Sequence, residues 1–300
     1  MTDDLEVALV DAFTDDPLTG NAAGVVPDAG ELSEPTMQAI ARELSVSETA
    51  FLSASAEAER RIRYFTPTQE VDLCGHATIA SGSYLHETGD VETGTTTLET
   101  NVGVIEVDVE DDGTVWMSQD DPEIREADAS YGTVADALGV ERAALEGARE
   151  DLPLAVSSTG LPFLMVPITY LSDLGDADPD MAAIEPLADS VGATGIYAFT
   201  FDTLQPESAL HGRMFAPGAG VPEDPVTGTA SCAVAAYLEA YDAFDPTPEE
   251  LRLEQGHYVS RPGTVLVRID DEVRIGGRAV TALEGMVRAP ERGDDGILEA

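Results

Sequence analysis

The chain has 300 residues and is 43% hydrophobic, yet it carries 58 acidic against 15 basic side chains, a formal net charge of −43. That balance describes a folded core under a carboxylate-rich surface. Such a surface repels phosphate backbones and anionic lipids, which argues against nucleic acid and membrane as partners. Every basic residue is Arg. With no Lys there is no Walker A lysine, no pyridoxal phosphate Schiff base and no lysine-dependent aldolase.

In chain order, Leu5 to Phe13 is predicted to be a strand after the acidic start Met1-Thr2-Asp3-Asp4. That start has neither the basic opening nor the apolar stretch of a secretory signal, so a cytoplasmic location is expected. A turn at Asp15–Asn21 leads to a second apolar run, Ala22 to Val26. Pro35 to Leu44 has apolar Met37, Ile40, Ala41 and Leu44 at helical spacing, with Pro where its missing N–H does no harm. Thr49–Ser53 and Arg61–Phe65 read as strands. Thr96–Val109 and Thr114–Ser118 read as a hairpin around Asp111-Asp112-Gly113. The acidic, Pro-containing stretch Asp120–Arg125 is the expected boundary. Beyond it, Val134–Leu138 is a predicted helix, with another near Glu141. Ala155–Val156, Leu164–Ile168, Gly195–Phe201, Thr264–Ile269, Glu272–Ile275 and Val280–Val287 are predicted strands, and Glu291–Ala300 a polar tail. No run of eighteen apolar residues occurs.

One feature organises the rest. Arg63-Tyr64-Phe65-Thr66-Pro67 leads through a loop to Gly75-His76-Ala77-Thr78, and Arg213-Met214-Phe215-Ala216-Pro217 leads through a longer loop to Gly228-Thr229-Ala230-Ser231. Each block reads as strand, Pro turn, loop and a Gly that opens a small-residue helix, an internal repeat of about half the chain. A helix N-terminus offers unpaired N–H groups and partial positive charge, and Gly lets a ligand approach the backbone. One such block alone is an ordinary tight helix start. Two matched blocks flanked by acids point to a shared site able to hold a carboxylate and an enolate-like anion. The acids are Glu48, between a helix end and an apolar strand, with Glu70 and Asp72 before one glycine and Glu223 and Asp224 before the other. Asp72 and Glu223 also fit as helix caps. A carboxyl shielded in a cleft has a raised pKa and can exchange protons near neutrality, and His76 suits the same task or the orientation of a substrate oxygen.

Val10-Asp11-Ala12-Phe13 through Thr19-Gly20-Asn21, Met37 to Glu43 with Ser47-Glu48-Thr49-Ala50-Phe51, Phe65-Thr66-Pro67 with Glu70 to Thr78, and Met214 to Pro217 with Glu223 to Ala230 together resemble the PhzF-like family of phenazine biosynthesis. The resemblance runs from Val10 to about Val287. It implies an α+β fold of two pseudo-symmetric, diaminopimelate-epimerase-like α/β domains with the active-site cleft between them. The division expected is 1–120, with a returning strand near 279–288 as a candidate to complete it, then 125–278, then an acidic tail at 291–300. It further implies a cofactor-independent isomerase acting on a small carboxylic acid, with Glu48 shuttling the proton and His76 and Asp224 assisting. Asn21, Cys74, Gly75, Gly228 and Thr229 would bind substrate. Thr229 stands where the phenazine enzyme has Ser, which keeps the hydroxyl and adds a methyl. A homodimer is a family-based expectation.

In the related epimerases and racemases two cysteines flank the substrate carbon, one in the place of Cys74. The other would stand near Asp224-Pro225, where this chain has none, and Cys232 falls a turn into the following helix. An epimerase or racemase using Cys74 and a catalytically silent small-molecule-binding protein are the alternatives. Two cysteines are too few for a disulfide framework, and no His-Glu-x-x-His, Cys-x-x-Cys or Gly-x-Ser-x-Gly pattern is present, so no metal is expected.

The charge predicts a salt response. At molar salt the Debye length is ~3 Å, which screens carboxylate repulsion. Thermal melting in a KCl series should show the melting temperature rising toward molar salt. A temperature independent of KCl would show that the acids are too dispersed to repel one another.

Overall fold

The computed structural model describes residues 4–30, 32–149 and 151–289, so the predicted tail at 291–300 lies outside the described residues. The first half contains β1 (Asp4–Ala12), β2 (Asn21–Val26), α1 (Glu34–Leu44), β3 (Glu48–Ser53), β4 (Arg60–Phe65), β5 (Glu70–Val71), α2 (Gly75–Glu87), β6 (Gly94–Thr100), β7 (Gly103–Val109) and β8 (Val115–Ser118). The second half opens with β9 (Glu123–Glu126), α3 (Tyr131–Leu138), α4 (Arg142–Glu146), β10 (Ala155–Ser158), β11 (Pro162–Pro167), α5 (Leu171–Gly175) and α6 (Met181–Ser190). It continues through β12 (Gly195–Thr200), β13 (Leu210–Ala216), β14 (Val221–Asp224), α7 (Gly228–Ala240), β15 (Glu250–Gln255), β16 (Gly263–Ile269) and β17 (Val273–Gly277), and β18 (Ala279–Arg288) follows. Among the described residues no helix is long and apolar enough to cross a membrane.

The strand pairings repeat. In the first half β1 pairs with β2, then β3, β4, β6, β7 and β8 follow in turn, with β5 hung on β4. In the second half β10 pairs with β11, then β12, β13, β15, β16 and β17 follow, with β14 on β13. Parallel and antiparallel steps fall in the same order in both. Each half is extended by a strand that lies outside its own run: β18 pairs with β1, and β9 pairs with β10. The two runs join where β8 meets β17, so eighteen strands form one continuous hydrogen-bonded network.

The two repeated helices sit alike. α2 is buried from Ala77 to Gly82 and again at Tyr84 and Leu85, and α7 from Ala230 to Leu238. A helix buried on all sides must be enclosed: β1, β2, β3, β7 and β8 with the returning β18 enclose α2, and β10, β11, β16 and β17 enclose α7. The loops before them are locked in the same way twice. Arg63 binds Glu70 through two nitrogens (2.7 and 2.6 Å), and Arg213 binds Glu223 likewise (2.8 and 2.8 Å). Each guanidinium also lies over the aromatic ring two residues on, Phe65 or Phe215.

Some local expectations are corrected. Thr96–Val109 is two strands, not one, because Asn101-Val102 turns the chain and Gly103 takes a left-handed φ of +124°. The acidic boundary stretch runs directly into β9, whose pairing with β10 is a long-range contact that its polar residues do not announce. β5 and β14 lie in stretches expected to be loops, and no sequence pattern announces α5, α6 or β15.

Gly256 gives a stability test. It has a φ of +87°, and a Cβ there would lie 2.1 Å from the Arg261 carbonyl oxygen and 2.6 Å from that of Pro225, next to Asp224. Gly89 has a φ of +80° but open space around its Cβ position. Gly89→Ala should therefore cost only the left-handed backbone term of ~1–2 kcal/mol. Gly256→Ala should cost clearly more, because backbone must move. Equal melting temperatures for the two variants would contradict this packing.

Candidate active site

The structure brings most of the sequence-predicted residues together where the two halves meet. The αL residue Ser45 ends α1 and turns the chain so that Glu48 opens β3. Glu48 Oε2 lies 3.3 Å from His76 Nε2, on the first turn of α2, without hydrogen-bond alignment. Asn21, at the start of β2, donates from Nδ2 to Asp224 Oδ1 (3.1 Å) and to the Val226 carbonyl (2.8 Å), so it ties one half to the other. Thr227 donates to the second oxygen of Asp224. Both carboxylate oxygens of Asp224 are thus anchored, whereas only the Ser47 hydroxyl acts in this way on Glu48.

Neither helix start is capped by a side chain. Cys74 and Thr227 occupy the N-cap positions of α2 and α7 without making a cap hydrogen bond. Asp72 is exposed and Glu223 is held by Arg213, so neither caps its helix. The orphan N–H groups at both starts remain available to an anion. Gly75 and Gly228 lie against one side chain, Ile275 of β17. A Cβ on Gly228 would fall 1.9 Å from Ile275 Cδ1 and 3.1 Å from the Phe13 ring, and one on Gly75 3.9 Å from the same Cδ1. Thr229 follows Gly228, and its carbonyl accepts a bond from Thr159. Its methyl carbon lies 3.9 Å from where a Gly160 Cβ would be.

Burial sets the electrostatics. It raises the Glu48 pKa to about 7 against the lowering effect of Ser47, and the Asp224 pKa to about 6 against Thr227, His76 and Asn21. Burial lowers the His76 pKa and, aided by the Glu48 and Asp224 charges, holds the Cys74 thiol well above its ordinary value. The result is two carboxyls able to exchange protons near neutrality beside a neutral imidazole and a protonated thiol.

Glu48, Cys74 and His76 are also the one trio among the described residues whose candidate metal-ligating atoms all lie within 4.8 Å of one another. Cys74 Sγ faces His76 Nδ1 at 3.4 Å while Glu48 faces Nε2. Groups on opposite ring nitrogens are placed to pass or orient protons rather than to converge on one ion. An open cavity of about 560 Å³ lies between the halves around Trp116, Glu254, His257 and Arg268. It shares Phe13 with the site but none of Glu48, His76 or Asp224, so chemistry rather than size identifies the site.

Strand register shows how unequal the halves are here. Thr49 faces Phe65 as Ile196 faces Phe215, which makes Gly195 the counterpart of Glu48. Loop by loop, Thr227 matches Cys74 and Thr229 matches His76. The repeat counterpart of Cys74 is therefore Thr227, two residues beyond Asp224-Pro225, and it carries a hydroxyl in place of a thiol. Sequence reasoning missed Gln255, whose side chain binds the Asp224 carbonyl (2.8 Å), Thr227 Oγ1 (3.1 Å) and the Thr227 N–H (3.2 Å). It also missed Phe13, which holds a left-handed φ of +66° while its ring packs by Gly228. No local signal marks either role.

The fold and site define an isomerase-type scaffold, and comparison with known proteins narrows it. The chain belongs to the PhzC-PhzF family of phenazine biosynthesis-like proteins, whose family model matches residues 10–285. It is 36% identical over 271 residues to the uncharacterized isomerase YfhB of Bacillus subtilis, covering 89% of this chain and 91% of that one. It is also 36% identical over 291 residues to the uncharacterized isomerase YddE of Escherichia coli K12, covering 92% and 95%. A PhzF-family crystal structure from Bacillus anthracis superposes with a TM-score of 0.87 at 34% identity, over 95% of this chain and 99% of that chain. A hydroxyproline epimerase from Agrobacterium vitis shares the fold alone, at TM-score 0.57 and 14% identity over 95% and 92%. The chain is an enzyme of the isomerase class.

The Glu48 environment can be measured without substrate. A carboxyl whose pKa rises on folding binds its proton more tightly when folded. Its contribution to stability is whole below the unfolded pKa near 4.5 and is lost as pH rises through about 7. Glu48→Gln removes that loss, so the variant should exceed the parent in stability above neutrality by roughly 3 kcal/mol. The gap should close as pH approaches 4.5. Parallel melting curves at all pH values would show an ordinary, solvated Glu48.

Proposed function

We propose that this protein is a cofactor-independent isomerase that moves a carbon-bound proton on a small carboxylic acid, with Glu48 as general acid/base and His76 and Asp224 in support. The observation that carries the reading is Glu48 itself: a partly buried carboxyl with a pKa near 7, 3.3 Å from an imidazole. The uncapped starts of α2 and α7 would bind the substrate carboxylate and stabilise the enolate-like anion formed when Glu48 takes the proton. Gly75, Gly228 and Thr229 would bring the substrate close to that backbone. Asn21 holds Asp224 across the junction, and Asp224 orients the substrate from the second half.

The one-sided placement of Glu48 favours removal and return of a proton over a symmetrical two-base epimerisation. Gly195 stands at the matching position of the other half, and Thr227 where a second thiol would be. Cys74, held protonated by burial, is a poor base, which further supports the carboxylate route over a thiol racemase. The reading takes the carboxylate surface as that of a halophilic, cytoplasmic protein, with family resemblance as support for a homodimer.

The test is a screen of cyclic carboxylic acids and amino acids for solvent deuterium incorporation at molar KCl. With an active compound found, Glu48→Gln should lower exchange ~100- to 10,000-fold with the fold unchanged. Cys74→Ala should cost much less. If Cys74→Ala abolishes exchange and Glu48→Gln leaves it near normal, the thiol mechanism replaces this one.

A further inference from the structure

Cys74 and His76 flank Gly75 at the start of α2, with Sγ 3.4 Å from Nδ1. The other ring nitrogen, Nε2, is buried, has no hydrogen-bond partner and faces Glu48 Oε2. A neutral imidazole carries one proton. Which nitrogen holds it decides whether His76 presents Glu48 with a donor or an acceptor.

The surroundings of the sulfur decide this. Sγ lies at the helix start without capping it, and the hydrogen-bonding side-chain atom within its reach is His76 Nδ1. The S–H hydrogen has that nitrogen to turn to. Burial and the Glu48 and Asp224 charges keep that hydrogen on the sulfur. The nitrogen positioned to receive it is His76 Nδ1. The titratable groups that act on the pair are Glu48 from β3, Tyr64 from β4 and Asp224 from β14.

We propose that the Cys74 thiol donates to His76 Nδ1 and so fixes the imidazole with its proton on Nε2, pointed at Glu48 in both protonation states of that carboxyl. Cys74 is on this account a positioning residue. Without the thiol, a protonated Glu48 would itself donate to Nε2 and drive the imidazole proton to Nδ1. With the thiol in place, Nε2–H stays a donor throughout. When Glu48 takes up a proton, that N–H no longer faces a carboxylate charge and can donate to a substrate oxygen placed beside it. The inference rests on Glu48 as the acid/base and adds how its neighbour keeps one polarity through the cycle.

The experiment is nitrogen NMR of full-length protein carrying 15N-histidine. With four histidines the spectrum is simple, and loss of one signal in His76→Gln assigns the site. Spectra are taken between about pH 6 and pH 8, spanning the Glu48 transition near 7. In the parent and in Cys74→Ser, which keeps a donor, Nε2 should be protonated and Nδ1 bare across the range. In Cys74→Ala the tautomer ratio should move about fivefold or more toward Nδ1–H as pH falls. A proton on Nδ1 in the parent, a parent tautomer that changes with pH, or a Cys74→Ala spectrum identical to the parent's would each overturn the proposal. The readout needs no turnover. A failed deuterium-exchange assay would therefore sink the Glu48 proton-transfer reading while leaving these spectra to decide the tautomer.

Discussion

A helix with no polar face has to be wrapped, and the rest of this molecule follows from doing that twice. α2 and α7 are built of Ala, Gly, Ser, Cys and a few large side chains, and both are buried along most of their length. Wrapping removes water from all but their ends. An N-terminus that emerges from such an enclosure without a cap has amides in need of an acceptor. The Arg–Glu locks at Arg63–Glu70 and Arg213–Glu223 fix the hairpins that lead into those ends. The β8–β17 junction, with Ile275 against both entry glycines, puts the two ends side by side.

Symmetry builds the two uncapped helix starts, and departure from symmetry sets the titratable groups around them. Glu48, Asn21 and His76 come from the first half, and Asp224 and Gln255 from the second. The register counterpart of Glu48 is Gly195, so that carboxyl has no match across the junction. Burial then acts on unlike groups in unlike ways: it lifts the carboxyls toward neutrality and keeps His76 neutral.

Much of the site was legible in the sequence because it sits in short stretches with a local rationale. Gly75-His76 and Gly228-Thr229 announce themselves as helix openings after Pro turns, and Glu48 stands at an abrupt helix-to-strand change. Gln255 was not legible, since its role depends on the parallel pairing of β13 with β15, which no local pattern encodes. β9 and β18 show the same limit: each pairs with a strand well removed along the chain. The arginines illustrate it most fully. Arg261 reaches Asp11, Arg268 reaches Glu110, Arg274 reaches Asp108 and Arg278 reaches Asp15, all from the second half to the first. Arg268 also stacks 3.8 Å above the Trp116 ring. Composition shows only that cations are scarce. The fold shows that these four are used to clasp the halves.

Gly195 has a bearing on what this scaffold can become. A side chain there would place its Cβ 2.4 Å from the Phe215 carbonyl oxygen and 3.0 Å from the Ala216 methyl, against backbone that cannot yield cheaply. A single substitution could not restore a second acid opposite Glu48 without reshaping β13, the strand that leads to Asp224. Packing at Gly195 thus keeps the two halves unlike at this position, because any side chain there would first have to displace β13 backbone.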